Sequence, residues 1–103
     1  MNYVLINKMT TKPGKRQEVI DIMVKAGKPF DENPSCLIYL LGGAKDDPNA
    51  IWVQDIWTNK EDHETAMQTE EMAAYIKQAM PLLEGMPEQF EIEPAGGKSA
   101  ILQ

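Results

Sequence analysis

Three polar side chains interrupt apolar segments of the sequence and could carry chemistry. Asn7 lies inside NYVLINKMT, where an amide opposes strand propensity and, once buried, needs partners that a ligand oxygen would supply. His63, the only histidine, shares a helical face with Ala66 and Met67 and titrates near neutral pH, which suits a general base. Tyr75 follows on the next helical segment. We expect Asn7 to orient a ligand, His63 to accept a proton and Tyr75 to donate a hydrogen bond.

Each of these residues also has a purely structural explanation. Asn7 could be satisfied by neighbouring backbone groups, His63 could sit at the rim of the core at a helix start, and Tyr75 could point to water. The sequence shows no nucleophile–base pair, phosphate-binding loop or suitably spaced carboxylate pair beside them. Any reaction would therefore be one that a few polar groups in an apolar pocket can support.

Apolar side chains that could form such a pocket are plentiful. Small-molecule sites typically have apolar walls with a few placed polar groups, and thioethers adapt well to flat ligands. The chain has seven methionines, although methionines at helical spacing also occur as ordinary core residues. We expect the substrate-binding wall to be formed by Trp57, Tyr39, Met23, Met67, Met72 and Ile76.

Charge and composition exclude several classes of protein. Sixteen acidic and ten basic residues give a net charge of −6 with no cluster of lysines, so nucleic acid is not an expected partner. No apolar run of membrane-spanning length and no signal-peptide pattern is present, which predicts a soluble cytoplasmic protein without a membrane partner. One histidine and one cysteine without metal-ligand spacing predict no metal site. Cys36 is interpreted as a small buried hydrophobe.

The hydrophobic periodicity predicts one domain, residues 1–103, with the order strand, helix, strand, strand, helix, strand. This is the α+β, ferredoxin-like split β-α-β-β-α-β order, an antiparallel sheet with both helices on one face. Asn59 and Thr69 are predicted helix caps, with an interruption near residues 68–69, and Pro81 should distort or end the last turn of the helical region. The predicted segments are 2–10, 15–32, 36–42, 50–57, 60–83 and 89–93.

The strands are apolar on both sides, which has a consequence for assembly. Trp52 and Trp57 are five positions apart and should point to opposite faces, and Phe90 and Ile92 are predicted to point inward. Two helices cover only one face of the sheet, so the other would be an unusually large exposed apolar patch. We expect the same face of a second copy to cover it, giving a homodimer. Residues 99–103 could add an extension that docks on a neighbour.

Five short segments, in this order and spacing, resemble the antibiotic biosynthesis monooxygenase (ABM) family of dimeric α/β barrels. They are Asn7 in its strand, KPGK at 12–15, PSCLIY at 34–39, WVQDIW at 52–57 and QTEEMAAY at 68–75, and the likeness extends over about residues 3 to 93. The resemblance implies a cofactor-independent monooxygenase for which the partners are a small aromatic or quinol-type molecule and molecular oxygen. An anionic form of the substrate would itself supply the electrons.

The chain also departs from that family's usual residues. Quinol-oxidising members tend to carry histidines where this chain has Ala66 and Glu71, with His63 one turn earlier. In the haem-degrading branch, the tryptophan and the iron-ligating histidine would fall at Ala66 and near Ile76. Haem degradation is therefore less favoured. The alternative function is a non-catalytic or stress-associated dimeric barrel that binds small aromatic ligands.

Overall fold

The computed structural model of the protein describes residues 2–98, and it confirms the predicted order of elements. The extension predicted at residues 99–103 lies outside the described part. Short 3-10 helices follow the first and third helices, at Lys28–Glu32 and Met80–Leu82. The strands are β1 (Tyr3–Thr10), β2 (Cys36–Gly43), β3 (Ala50–Trp57) and β4 (Glu88–Ile92), and the helices are α1 (Arg16–Ala26), α2 (Lys60–Met67) and α3 (Glu70–Ala79).

The four strands form one antiparallel sheet in the order β2-β3-β1-β4. β1 and β3, which come from the two halves of the chain, are the central pair, and β2 and β4 form the edges. This is the topology expected of a ferredoxin-like α+β domain, so the predicted fold class is confirmed. The two central strands supply side chains that are shielded by neighbouring strands on both sides.

The predicted break in the second helical region is confirmed. α2 begins after Asn59, whose side-chain oxygen accepts a hydrogen bond from the Asp62 backbone N–H at 2.8 Å. α3 begins after Thr69, whose hydroxyl accepts from the Met72 backbone N–H at 3.1 Å. Each cap satisfies an N–H that has no partner within its helix. Pro81 falls in the 3-10 turn that follows α3, where a continued α-helix would lose a hydrogen bond.

The helices and one face of the sheet enclose the buried side chains. Trp57 is fully buried and packs edge-to-face against Phe30, with ring centroids 5.2 Å apart. The alternation predicted for β3 is confirmed, because Trp52 on the opposite face is 40% exposed. Most of the buried apolar residues form two clusters, one of Met9, Val19, Ile51, Val53 and Leu83, and one of Ala26, Phe30, Trp57 and Met72.

The side of the sheet away from these clusters is apolar and open to solvent. Cross-strand partners point to the same side of a sheet, so the register of the four strands defines this surface. We call it the outer face. Its apolar members are Val4, Ile6, Ile38, Leu40, Trp52, Ile56, Phe90 and Ile92.

The prediction that Phe90 and Ile92 point inward was wrong. β4 pairs with β1 so that Phe90 lies opposite Ile6 and Ile92 opposite Val4, and both side chains therefore belong to the outer face, where they are exposed. Gln89, opposite Asn7, points to the helix side instead. Alternation gives the two sets of side chains in a strand, but the pairing with β1 decides which set faces the helices.

Candidate active site

A cavity of about 370 Å³ lies between the sheet and the helices. β1 and β3 form its floor, and α3 together with the segment that leads to β4 forms much of its roof and rim. This volume is in the range of small-molecule pockets. The wall is mainly apolar, and its polar side chains are Asn7, Tyr39, Asp55, His63 and Gln89.

Methionine dominates the apolar wall. Every methionine of the described chain, residues 2–98, contributes to the cavity, although the six come from different strands, helices and connections. Flexible thioethers can fit closely around ligands of different outline and make favourable contacts with aromatic rings. The six are Met9, Met23, Met67, Met72, Met80 and Met86.

The structure brings most of the predicted site residues together. Asn7 and His63 line the cavity with Tyr39, and so do the predicted wall residues Met23, Met67, Met72 and Ile76. Trp57 and Tyr75 do not line it. Trp57 is covered by His63 and Phe30, and Tyr75 is half-buried against the cluster that contains Trp57. On α3, Met72 and Ile76 share the face above the cavity, whereas Tyr75 lies to one side of them.

Three buried polar atoms of the cavity wall have no protein partner. They are Oδ1 of Asn7, Oδ1 of Asp55 and Nδ1 of His63. Buried polar groups in folded proteins are nearly always hydrogen-bonded, because leaving one unpaired costs about 1 to 3 kcal/mol. All three atoms belong to residues that line the same cavity, which makes this cavity the candidate place for a ligand with polar groups.

Asp55 was not among the predicted site residues. It lies on the inward face of β3 between Val53 and Trp57, and only 6% of it is exposed. Burial raises the pKa of its carboxyl group from 3.8 to about 7, because desolvation disfavours the charged form. A carboxylate on the otherwise apolar face of a strand, with Ile51, Val53 and Trp57, was the sequence signal that could have identified it.

His63 is held beside Asp55 by packing. Its ring lies between those of Tyr3 and Trp57, with centroid distances of 5.2 and 5.4 Å, and its Nε2 is 3.9 Å from Oδ2 of Asp55. Burial lowers the pKa of His63; nearby Glu64 opposes this shift and Lys60 adds to it. The imidazole is therefore mainly neutral at pH 7, and its Nε2–H tautomer would face the carboxylate.

The start of α2, which carries His63, is fixed by side chains. Asp62 accepts hydrogen bonds from the Ser35 hydroxyl and from the Asn59 amide. These bonds hold the pKa of the exposed Asp62 carboxyl below its usual range, with the Ser35 bond the largest cause. Together with the backbone cap, they tie the first turn of α2 to the chain just before β2.

Tyr39 contributes a ring to the wall, but its hydroxyl is already bonded. The hydroxyl donates to the backbone oxygen of Met23 at 3.1 Å, and burial raises its pKa well above the ordinary range. The ring passes so close to Gly27 that a Cβ at that position would overlap it. Gly27 therefore lets Tyr39 reach beneath α1, where it acts as a wall residue.

Ala66 and Glu71, the positions at which the resemblance implies histidines in quinol-oxidising members, lie elsewhere. They line a smaller cavity of about 160 Å³ between the end of α1 and the junction of α2 and α3. Phe30 and Met72 line both cavities and separate them. The polar groups of the larger cavity are thus supplied by the sheet and by His63, one turn before Ala66.

Residues 2–98 contain neither a cluster of metal-binding side chains nor a membrane-spanning helix. No group of three or more His, Cys, Asp and Glu side chains in this part of the chain is placed to hold a metal ion. None of its helices combines the length and the apolar character that crossing a bilayer requires.

Comparison with known proteins gives a consistent result. The family model for antibiotic biosynthesis monooxygenase matches residues 2–78. A solved structure from Chloroflexus aurantiacus J-10-fl, provisionally assigned as an antibiotic biosynthesis monooxygenase, is 32% identical, with a TM-score of 0.83 over 95% of this chain and 97% of that one. No curated protein matches the chain.

More distant structures share the fold alone. A Nitrosomonas europaea protein with the same provisional assignment is 12% identical and has a TM-score of 0.84 over 90% of this chain and 89% of that one. A conserved Methanosarcina mazei Go1 protein is 13% identical, also with a TM-score of 0.84, over 92% and 94% of the two chains. The family model and the Chloroflexus relative together show that this chain belongs to the antibiotic biosynthesis monooxygenase family.

Proposed function

We propose that the protein is a cytoplasmic, cofactor-independent monooxygenase that acts on a small aromatic, quinol-type substrate with molecular oxygen. The proposal rests mainly on the methionine-lined cavity, whose wall includes Asn7, Asp55 and His63, each with a buried polar atom that has no protein partner. The apolar wall suits a flat ring, and the polar groups suit its hydroxyl substituents. Family membership supports the same reaction class.

The reaction needs no outside reductant. A hydroquinone loses two electrons as it becomes a quinone and two more as one ring C–H becomes C–OH. Dioxygen accepts these four electrons; one of its atoms enters the ring and the other leaves as water. The products, a hydroxyquinone and water, therefore account for every atom of the hydroquinone and dioxygen.

The protein's part is to bind the ring, ionise it and keep water away. The phenolate is more electron-rich than the phenol, so loss of the hydroxyl proton promotes its reaction with dioxygen. An apolar cavity strengthens hydrogen bonds to the developing anion. Asn7 would orient the ring oxygen through its amide, and an acceptor on the wall would take the proton, the role that the sequence suggested for His63. Trp57 and Tyr75 have no part in this scheme.

Oxygen consumption tests the proposal directly. Purified protein, freed of metals with a chelator, should consume oxygen with at least one member of a panel of hydroquinones and anthrones and release the hydroxylated or quinone product. Asn7→Ala should lower kcat/KM by about 100-fold, because it removes a hydrogen bond to the developing charge. Gln17→Ala, which removes an amide from the exposed side of α1, should leave the rate unchanged.

The same assay separates the two candidate functions. Saturable binding of aromatic ligands without oxygen consumption would exclude the oxygenase and establish a non-catalytic binding protein. Ala66, which stands where the family resemblance implies a histidine in quinol-oxidising members, favours that alternative. Equal oxygen consumption by wild type and Asn7→Ala would remove Asn7 from the mechanism.

The proposal also includes a homodimer formed through the outer face. Leu40, on the edge strand β2, is 61% exposed, and the same face exposes Trp52 on β3 and both Phe90 and Ile92 on the opposite edge strand β4. Contiguous apolar surface of this kind is rare on monomers, and a second copy could cover it by packing sheet against sheet. A two-fold pair would use the same surface on both chains.

A charge on the outer face should separate the subunits. Wild type should run in light scattering at twice 11.6 kDa, whereas Leu40→Glu should run at 11.6 kDa at the same concentration, since a buried unpaired carboxylate opposes association. Val24→Glu is the matched control, because Val24 is exposed to 44% on α1, away from the sheet. A wild-type protein that remains monomeric at high concentration would refute the dimer.

A further inference from the structure

We infer that Asp55 is the group that takes the phenolic proton of the substrate, and that His63 is a positioning residue that orients the Asp55 carboxylate. The inference rests on the proposed function, which leaves the proton acceptor open. It assigns the chemical step to a residue that lies on the sheet and was not singled out by sequence patterns.

The position of the carboxylate carries the inference. Asp55 lies on β3, the second of the two central strands, directly opposite Leu5 of β1 and Tyr39 of β2. One of its oxygens, Oδ1, has no protein partner, although Asp55 lines the cavity and is almost entirely buried. A ligand hydroxyl in the cavity would supply the missing hydrogen bond. Without a ligand, Oδ1 of Asp55 stays buried and unpaired, which destabilises the folded state.

The second oxygen of the carboxylate faces His63. The 3.9 Å from Nε2 to Oδ2 is longer than a direct hydrogen bond, but it is close enough for the ring to limit how the carboxylate turns. His63 is itself clamped by Tyr3 and Trp57. With Oδ2 turned to the imidazole, Oδ1 is the oxygen left to accept a proton from the ligand.

The ionisation of Asp55 suits this role. Burial raises the pKa of its carboxyl group to about 7, so close to neutral pH it is both partly ionised and a stronger base than an ordinary carboxylate. Burial moves the pKa of His63 in the opposite direction and makes the imidazole a weaker base than usual. Of the two neighbours, the carboxylate is therefore the one whose basicity the cavity increases.

The other titratable groups that face Asp55 stay neutral in this pH range. They are Tyr3 on β1, and Cys36 and Tyr39 on β2. Burial is the largest cause of the raised pKa of all three, and that of the Cys36 thiol is about 11. The side chains that α1 and α3 contribute to the cavity, such as Met23 and Met72, carry no charge.

The charged groups further from Asp55 than these residues lie at the protein surface. Glu91 on β4 accepts a hydrogen bond from the Tyr3 hydroxyl and pairs with Lys60 at 3.4 Å, and all three groups are at least partly exposed. Glu64 acts on His63 and Tyr3 from α2. Of the described residues that line the cavity, Asp55 is thus the one whose raised pKa lies near neutral pH, while the lowered pKa of His63 keeps its imidazole mainly neutral there.

The proton transfer is balanced within the site. The substrate O–H bond breaks, a new O–H bond forms at Oδ1 of Asp55, and the electron pair stays on the phenolate oxygen. After dioxygen has reacted, the proton on Asp55 passes to the oxygen atom that leaves as water. The carboxylate is then ready for the next substrate molecule.

Infrared difference spectroscopy can locate the proton without any oxygenation. The probe is para-cyanophenol, added under anaerobic conditions to the protein at pH 7.5, where this phenol is still mostly protonated in water and Asp55 of the free protein is mostly ionised. We expect the carbonyl stretching band of a protonated carboxyl group to appear on binding to wild type. Asp55→Asn, which preserves the shape of the side chain, should show no such band, and His63→Gln should retain it.

The pH dependence of turnover gives the second measurement. In wild type, kcat/KM should rise with pH through a midpoint of about 7, and Asp55→Asn should lose this rise along with at least about 100-fold of the rate. His63→Gln should keep the rise with a displaced midpoint, as expected of a positioning residue. If the rise were lost in His63→Gln and kept in Asp55→Asn, His63 would be the acceptor and the inference would be overturned.

The two measurements separate failure of the inference from failure of the proposed function. No carboxyl band in wild type, or an equal band in Asp55→Asn, would refute the role of Asp55 even if oxygen is consumed. A carboxyl band without oxygen consumption by any phenol would refute the oxygenase and leave Asp55 as the proton acceptor of a binding site.

Discussion

Asp55→Asn should stabilise the protein by about 4 kcal/mol more at pH 8 than at pH 4. The carboxyl group titrates near pH 3.8 in an unfolded chain and at about 7 in the folded protein. Between these values the folded state holds a proton that the unfolded state has lost, so the free energy of unfolding falls as pH rises. At about 1.4 kcal/mol for each pH unit, this interval amounts to about 4 kcal/mol. An amide at position 55 does not titrate and removes the effect.

Comparing the two proteins isolates this contribution. The lowered pKa of His63 acts in the opposite direction: its share of stability is lost as pH falls from 6.5 through the folded-state value. His63 is present in both proteins, so its contribution largely cancels in the difference. Urea unfolding at a series of pH values and one fixed protein concentration provides the measurement. If the free energy of unfolding changed with pH in the same way in both proteins, Asp55 would not be desolvated in the folded state.

Trp57→Ala should lower the free energy of unfolding by about 3 to 5 kcal/mol. Trp57 has no exposed surface and connects the 3-10 helix after α1, through Phe30, with α2, through His63. Removing its ring would leave a large void between elements that are held by the sheet on one side and cannot fully close around it. The free energy of unfolding of a small domain is about 5 to 15 kcal/mol, so this substitution would remove much of the chain's stability.

Trp57→Phe is the matched control, because it keeps an aromatic ring at the same place. The indole Nε1 of Trp57 is buried without a hydrogen-bond partner, so the phenylalanine variant loses volume but also removes an unpaired donor. We expect Trp57→Phe to lower the free energy of unfolding by less than half as much as Trp57→Ala does. Urea unfolding at fixed concentration would measure both. A loss below about 1 kcal/mol in Trp57→Ala would show that the contacts around the indole contribute little.

The stability and chemistry of this site have opposite requirements. A carboxylate in an apolar cavity destabilises the fold when it is ionised, and the same desolvation makes it a better proton acceptor. The methionines around it provide a wall that can adjust to a ring. If Asp55→Asn is both more stable and inactive, the cost to folding would be explained by function.

Features that depend on short segments were predicted correctly from the sequence. The caps Asn59 and Thr69 each accept a hydrogen bond from the N–H group three residues further on, so the sequence around each is sufficient to locate it. The alternation that sends Trp52 and Trp57 to opposite faces is a property of a single strand. The family resemblance rested on segments of this kind and was confirmed.

Part of the site was predictable for the same reason. Asn7, His63 and the methionines of α2 and α3 were identified because they share faces with apolar residues of their own element, and they do line the cavity. Tyr75 and Trp57 satisfied the same criterion, but they do not line the cavity. Whether a side chain on a buried face reaches a cavity depends on which neighbour covers it, and His63 and Phe30 cover Trp57.

The sequence by itself determined the elements, their order and which side chains within each element point the same way, because these follow from backbone geometry and local hydrogen bonding. Only the tertiary structure decided that Phe90 and Ile92 face outward, since that depends on the pairing of β4 with β1. It also decided that Asp55 and His63 meet at an unfilled space beneath the helices. Distances between side chains on different elements are set by how those elements pack, which no pattern along one segment contains.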